Sequence, residues 1–395
     1  MASSKMNLFS TRELPQLIEG FISQLKRGQL VGSKVIAKST TKLLGEIVSK
    51  SPWEDIPTLS GLLKAVGKRL LKARPQELII FNVLCRVLQI VNEDYSSAEG
   101  SGSKKKGSAA SGSSGGGGGG GAKKGSETPA MGLGQPQATG TGGMSRNLGE
   151  QVAQTIDRAA LNAFHLKSLL TKEIKDYIDE LDNTEEEIAE NAREHIHSNE
   201  IILTCGRSVT VELFLKHAAS KAKIHVIVAE CAPAYDGHEQ AKALASANID
   251  VVVVPDAAVF AIMSRVNKVI LGAHAVLANG GLVAASGSHT IAAAARHHST
   301  QVVVCAGLYK YSPMFPFDDD RFNTLVAPDT VLPYSEGALV DAVDVANPRY
   351  DYVPPELVDI LVDHTGGHLP SYLYRLLQEN YDQAKDLAWN MHDGE

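Results

Sequence analysis

The sequence predicts an α/β protein in which an N-terminal helical domain precedes a doubly wound, mostly parallel sheet. Short apolar runs alternate with alanine-rich segments between residues 224 and 312, as in parallel sheets whose two faces are covered by helices. The first half of the chain repeats apolar residues at helical spacing. At 395 residues the chain exceeds what one hydrophobic core usually fills. We therefore predict a helical domain over residues 1–197 and a Rossmann-like domain over residues 198–395.

The N-terminal region predicts a helix bundle. Apolar residues recur at intervals of three and four within 14–25, 35–48 and 59–70, which predicts three helices with one buried stripe each. A fourth helix is expected to begin near Pro75 and to run to about Val91. This helix is apolar nearly all round, which is typical of the central member of a bundle.

Composition changes abruptly after the fourth helix. Residues 96–143 consist mainly of Gly, Ser, Ala and Lys, so little apolar surface offsets the entropy of ordering them. We interpret this stretch as a flexible insert in the helical domain, because helical spacing returns over 148–181. Thr184 and Glu187 then form a capping-box pattern, which predicts a separate helix over 184–197.

The second domain alternates strands with helices. Strands are predicted at 201–204, 224–229, 249–254, 268–271 and 302–305. Helices are predicted at 208–222, 238–247, 257–265, 289–298, 354–362 and 370–379. Parallel sheets of this kind usually bind ligands beyond the C-terminal ends of their strands, so residues at those ends are the candidates for a functional site.

Charge and composition exclude several classes of function. With a net charge of −7, the chain lacks the overall positive potential that is typical of a protein that binds nucleic acid. Four cysteines without a CxxC pair favour a reducing compartment and predict no metal site. The chain has no Walker A motif and no strand followed by GxGxxG, so no nucleotide cofactor is expected. It has no signal-peptide pattern and no apolar run of about 18 residues, so we expect a cytosolic protein that does not enter membranes.

Several longer stretches carry a family resemblance. They read HVIVAECAP, MSRVNKVILGAH, LANGG, HHSTQVVVCA, DYVPPELVD and PSYLYRLL. They resemble the beta-subunit branch of the alpha/beta/delta family of eukaryotic translation initiation factor 2B. The resemblance spans most of residues 201–377 and leaves out the insert at 96–143. The wider superfamily includes methylthioribose-1-phosphate and ribose-1,5-bisphosphate isomerases, which share a helical N-terminal domain and a Rossmann-like C-terminal domain.

The resemblance implies a non-catalytic, regulatory subunit of the guanine-nucleotide exchange factor that acts on translation initiation factor 2. It implies a decamer with alpha, gamma, delta and epsilon subunits, in which gamma and epsilon carry the exchange activity. It also implies that the core binds the alpha subunit of initiation factor 2 and senses its phosphorylation. By their place in the resemblance, Asn199, His225 and Ile227 are candidate subunit-interface residues.

The same resemblance offers an enzymatic alternative, a sugar-phosphate aldose–ketose isomerase. The isomerases have a cysteine in a segment like ILTHCN and an aspartate in one like GADR. Here Cys205 stands at the histidine of the first segment, Gly206 at its cysteine, and His274 at the aspartate of the second. These departures predict that the catalytic pair is lost. Isomerase activity would need a local bulge that re-aims Cys205, or His274 acting as the base.

The remaining candidate residues belong to a vestigial pocket with no predicted catalytic residue. Its predicted members are Arg27, Cys205, Gly206, His274, Asn279, Gly280 and Ser288. We expect Asn279 to order its loop through side-chain to backbone bonds and Ser288 to cap a helix. A third hypothesis keeps Arg27 and the helix start at Ser288 as a sensor of phosphate metabolites without chemistry.

Overall fold

The structure, a computed structural model, describes residues 13–53, 55–103, 144–316 and 323–381, with side chains outside 93–165 and Asn380. Most of the predicted insert and the acidic run Asp318–Asp320 lie outside these ranges. The fourth helix continues to Ser103, into the range predicted as the insert.

Helices make up the N-terminal part of the described chain. They are α1 (Glu13–Lys26), α2 (Ser33–Lys50), α3 (Ile56–Ala73), α4 (Leu78–Ser103), α5 (Met144–Glu190) and the short α6 (Ala192–His195). Most of the predicted stripe residues are buried, among them Leu14, Ile18 and Leu25 of α1, whereas Leu17 and Val35 are exposed. The apolar side chains of α1 to α5 form one continuous core.

The C-terminal part alternates strands and helices, as predicted. Its first elements are β1 (Ile201–Cys205), α7 (Val209–Ala219), β2 (His225–Ala229), α8 (Asp236–Ala245), β3 (Asp250–Val254), α9 (Val259–Met263) and β4 (Lys268–Gly272). Its later elements are β5 (Ala275–Val276), β6 (Leu282–Ala285), α10 (Ser288–His297), β7 (Gln301–Cys305), β8 (Tyr350–Val353), β9 (Ile360–Asp363), β10 (Gly366–His368) and α11 (Leu373–Tyr381).

Seven strands form the main sheet in the order β10-β9-β7-β4-β1-β2-β3. All neighbours are parallel except β10, which runs antiparallel to β9. Successive side chains point to opposite faces of a strand, so both faces need apolar residues. Leu203 of β1 packs with α9 and α10 on one face, whereas Ile202 packs with α7 and α8 on the other. A smaller antiparallel sheet, β5-β6-β8, lies beside the main one.

Helix α4 connects the two halves of the molecule. Ile79, Val83 and Leu84 belong to the core of the helical bundle. Phe81 and Cys85, on the other side of the same helix, pack into the core formed with the main sheet. The all-round apolar character predicted for this helix is therefore confirmed, although the bundle is only one of its neighbours.

Two helix predictions are wrong. Residues 354–362 contain only a 3-10 turn at Pro355–Leu357, because Ile360 and its neighbours pair with β7 as the strand β9. Thr184 does not begin a helix, since α5 passes through it and its hydroxyl donates to the Glu180 carbonyl at 2.7 Å. For residues 360–363, long-range strand pairing overrides the local helical signal.

We expect Gly237→Ala to destabilise the protein strongly. A Cβ atom at this position in α8 would lie 2.0 Å from the Ala229 carbonyl oxygen, so the helix would have to move away from β2. Overpacking of this kind costs about 1–3 kcal/mol. The midpoint of thermal unfolding should fall by several degrees.

Gly61→Ala is the matched control, because nothing lies within 4 Å of a Cβ atom there. Gly61 lies inside α3, where alanine is favoured over glycine by roughly 0.5–1 kcal/mol, so this variant should unfold at or above the wild-type midpoint. Equal midpoints for Gly237→Ala and wild type would contradict the packing described between α8 and β2.

Candidate functional site

The first site cluster lies where β1 ends. The Cys205 Sγ atom is 3.3 Å from the hydroxyl of Ser288, the first residue of α10. The backbone N–H of Gly206 donates to the Cys231 sulfur at 2.9 Å. Cys205, Cys231 and Ser288 are all buried. Two thiols and a hydroxyl thus meet in an enclosed position at the C-terminal edge of the sheet.

Hydrogen bonding shifts the pKa values of the two thiols in opposite directions. Hydrogen bonds from the Cys231 thiol and then the Ser288 hydroxyl lower the pKa of Cys205, although burial acts in the opposite direction. The hydrogen bond to Cys205, together with burial, raises the pKa of Cys231. Cys205 is therefore the more acidic of the pair, but both side chains are shielded from solvent.

Gly206 has a backbone that disfavours any side chain. Its φ of +65° lies in the left-handed region, which glycine adopts without strain. A Cβ atom here would also lie 3.0 Å from the Ala285 Cβ atom. The position that corresponds to the isomerase cysteine in the resemblance is therefore fitted to glycine in this chain.

The start of α10 differs from the predicted cap. Gly287, with φ +97°, precedes the helix, and Ser288 makes no capping hydrogen bond. Instead the Asp351 carboxylate accepts from the backbone N–H groups of Gly287 at 2.6 Å and His289 at 3.3 Å. A negative charge at a helix N-terminus is favourable, so a distant residue of the chain already occupies the place of an anion.

His274, at the end of β4, belongs to a second and separate cluster. Its Nε2 atom lies 3.0 Å from a Glu77 carboxylate oxygen, and its Nδ1 atom lies 3.3 Å from the hydroxyls of Ser33 and Tyr350. The imidazole also stacks on the Tyr350 ring, with centroids 4.5 Å apart. Ser33 of α2, Glu77 just before α4 and Tyr350 of β8 therefore contact the two ring nitrogens, which a substrate would have to reach if His274 were a catalytic base.

Asn279 and Gly280 form the turn between β5 and β6. The Asn279 side chain accepts from the Gly281 N–H at 2.9 Å, which confirms its predicted loop-ordering role, and donates to the Tyr352 hydroxyl at 2.7 Å. Gly280 has φ +87° and packs against Pro370. Arg27, the remaining predicted pocket residue, is exposed just beyond the end of α1.

Sequence reasoning missed Lys310, which lies fully buried beneath the second cluster. Its Nζ atom donates to the Ala273 carbonyl at 2.9 Å and lies 5.8 Å from the centre of the Tyr309 ring. Burial lowers the pKa of Lys310 to about 8, although the nearby Glu185 carboxylate acts in the opposite direction. Nothing in the local sequence LYKYS marks this lysine as buried, because its partners come from distant segments.

The candidate interface residues lie toward the β3 edge of the main sheet, in β2 and in the segment before β1. His225 pairs with Asp250 across these strands, with the Nδ1 and Oδ2 atoms 2.8 Å apart. Ile227 stands beside Val252, whose side chain remains 54% exposed. Asn199 has φ +64°, and its N–H donates to the Lys223 carbonyl just before β2. This part of the sheet offers both apolar and polar groups to a partner.

Two further properties concern the described residues as a whole. They contain no group of three or more His, Cys, Asp or Glu side chains arranged to hold a metal ion. No helix among them combines the length and apolarity required to cross a bilayer. The histidines His297 and His298 lie at the C-terminal end of α10, as predicted.

Comparison with known proteins places the chain in a family. The profile of the initiation factor 2 subunit family matches residues 29–370. The chain belongs to this family. It is 43% identical over 373 residues to translation initiation factor eIF2B subunit beta of Dictyostelium discoideum, which covers 93% of this chain and 96% of that protein. Identity to the eIF2B subunit beta of Schizosaccharomyces pombe is 38% over 377 residues, with the same coverage.

Solved structures agree with the sequence relationship. The crystal structure of eIF2B beta from Chaetomium thermophilum superposes with a TM-score of 0.67 at 26% identity, covering 93% of this chain and 92% of that chain. A chain of the tetrameric eIF2B beta2–delta2 complex from the same organism gives a TM-score of 0.65 at 26% identity, with coverages of 93% and 95%. The ribose 1,5-bisphosphate isomerase of Archaeoglobus fulgidus is 27% identical over 216 residues, 53% of this chain and 67% of that protein.

Lys310 predicts a specific dependence of stability on pH. In the unfolded chain it keeps its proton up to about its ordinary pKa of 10.5, whereas in the folded protein it loses the proton near pH 8. Between these pH values the unfolded state binds more protons than the folded state. The contribution of Lys310 to the free energy of unfolding therefore rises with pH, by about 3 kcal/mol in total.

The measurement is chemical denaturation from pH 7.5 to 10.5. The rise in the free energy of unfolding that Lys310 causes should be missing in Lys310→Met. It should be present in Lys64→Met, which removes an exposed lysine. The same pH dependence in wild type and Lys310→Met would contradict the buried position of the amine.

Proposed function

We propose that this chain is a non-catalytic, regulatory subunit of an eIF2B-type guanine-nucleotide exchange factor and that it acts in the cytosol. The observation that carries this proposal is its similarity to eIF2B beta subunits, which extends over 93% of the chain. The sequence similarity covers both the helical half and the sheet. The assignment therefore does not depend on a single motif or on the fold alone.

The strand-end geometry supports a role without catalysis. Gly206 lacks a reactive side chain, Cys205 is enclosed beside Ser288, and His274 is held by Glu77, Ser33 and Tyr350. A general base must come within hydrogen-bond reach of the proton that it removes. Because neighbouring side chains already surround these groups, the arrangement favours a structural role for them. The Asp351 carboxylate at the start of α10 weighs against the hypothesis of a retained phosphate-metabolite sensor, because it already accepts from the Gly287 and His289 N–H groups.

Assembly is the second part of the proposal. One similar structure is that of a tetrameric eIF2B beta2–delta2 complex. We propose that the β2–β3 end of the sheet, with Asn199, His225 and Ile227, pairs with a delta-type subunit. Exposed Val252 supports this choice, because apolar side chains at the centre of a contact are stabilised when water is excluded.

The finer assignments follow from the family. In this proposal the chain forms a decamer with alpha, gamma, delta and epsilon subunits, and gamma and epsilon carry the exchange reaction. The core binds the alpha subunit of initiation factor 2 and responds to its phosphorylation. Physically, such a response requires two states of the complex with different affinities for the two forms of the substrate.

We expect Val252→Glu to weaken assembly with the delta-type subunit at least tenfold, since a carboxylate would be buried in the contact beside Asp250. The measurement is the dissociation constant of the co-purified complex, obtained by mass photometry over a dilution series. The control is Val209→Glu, because Val209 is 48% exposed against 54% for Val252 and lies at the start of α7. Equal affinities for both variants and wild type would exclude the β2–β3 edge as this interface.

The isomerase remains the second candidate, favoured by the lowered pKa of Cys205 and by the similarity to the archaeal isomerase. We expect no conversion of ribose 1,5-bisphosphate or methylthioribose 1-phosphate by the purified chain or its complex. An active archaeal ribose 1,5-bisphosphate isomerase serves as the positive control. Conversion that disappears in Cys205→Ala or His274→Ala would show that the chain is an enzyme.

A further inference from the structure

The segment between β7 and β8 contains an ordered loop whose ends are held together. The Val326 N–H donates to the Asn347 carbonyl at 2.8 Å, and the Arg349 N–H donates to the Thr324 carbonyl at 2.9 Å. The buried Asn347 side chain donates to the Ala327 carbonyl at 3.0 Å and contacts the Thr330 hydroxyl at 2.9 Å. These bonds order the base of the loop without burying its apolar side chains.

The loop exposes an unusual number of large apolar side chains. Tyr334 is 65% and Leu325 is 68% exposed, although both are side chains that folding usually buries at least in part. The exposed large apolar residues of the loop are Leu325, Val326, Val331, Tyr334, Leu339 and Val343. We call residues 325–343 the apolar segment. Concentrations of exposed apolar residues typically mark sites of protein interaction.

The charge around the apolar segment has one sign. The carboxylates are Asp329, Glu336, Asp341 and Asp344, and residues 323–347 contain no Lys or Arg. Two copies of this surface placed face to face would bring like charges together in a contact that excludes water, which is unfavourable. The charge pattern therefore fits a partner surface that is apolar at its centre and bordered by lysine and arginine.

We propose that the apolar segment is a docking surface for a different protein subunit, one that presents apolar side chains bordered by basic ones. This inference rests on the proposed role of the chain in a multi-subunit complex, and it adds a contact separate in sequence from the β2–β3 edge. Backbone bonds at Asn347 hold the loop in shape before binding, so less conformational entropy is lost when the partner docks. The acidic residues select a basic partner and speed the encounter.

Zero-length crosslinking tests the proposal on the assembled complex, isolated from cells through a tagged full-length chain. A carbodiimide joins a carboxylate to a lysine amine only where the two are in contact. Mass spectrometry should find links from Asp329, Glu336, Asp341 or Asp344 to lysines of another subunit. These links should weaken at about 1 M salt, where the screening length falls to roughly 3 Å. Hydrogen exchange of 325–343 should be at least about tenfold slower in the complex than in the isolated chain.

A variant pair gives an independent readout. Val331→Ser combined with Leu339→Ser should reduce recovery of the crosslinked subunit by about tenfold. The control Val209→Ser removes an equally exposed valine, 48% in each case, and should leave recovery unchanged. Circular dichroism of the isolated variants checks that both fold.

Three results would overturn the proposal. They are links that stay within this chain, links to a second copy of it, and unchanged hydrogen exchange of the segment in a complete assembly. If no partner subunit is recovered at all, the proposed function fails together with this inference. A complete assembly whose apolar segment remains unprotected would contradict only the inference.

Discussion

Burial of α4 on several sides is the constraint on which the rest of the structure depends. Its side chains enter the bundle core through Ile79 and Val83 and the main sheet core through Phe81. At its start, Leu78 packs with Leu277 and Val283 around the β5–β6 hairpin. Each fully buried aliphatic side chain contributes about 1.5–3 kcal/mol to the stability of the folded state. The helix therefore stabilises all three cores at once. The helical half and the sheet consequently pack as neighbours in one structure.

Glu77, the residue before this helix, lies at the strand ends, where it meets His274. A buried carboxylate and imidazole are costly to desolvate, and the hydroxyls of Ser33 and Tyr350 give the imidazole further polar contacts. His274, which stands at the isomerase aspartate in the sequence resemblance, thus takes part in contacts between the two halves of this chain.

The two surfaces that we propose as contact sites lie elsewhere on the molecule. The β2–β3 edge presents Val252 and the His225–Asp250 pair, and the apolar segment presents Leu325 and Tyr334. The two surfaces differ in character: one is a sheet edge, whereas the other is a loop held at its base by Asn347. A subunit with two unlike contact surfaces can bind two unlike partners at once, which is what a core component of a larger assembly must do.

By itself the sequence determined the strands β1, β2, β3, β4 and β7 with the helices between them, and it showed which residues stand at the positions of the isomerase pair. Those features depend on local periodicity and on residue identity, for which Gly206 and His274 suffice. Only the tertiary structure decided that 360–363 is a strand, that Asp351 and not Ser288 caps α10, and that Lys310 is buried. Each of these depends on a partner distant in the chain. The partners are β7 for the strand, Asp351 of β8 for the cap, and the Ala273 carbonyl for the lysine. Local propensity carries no information about such partners, because their contact free energies arise only when the chain has folded.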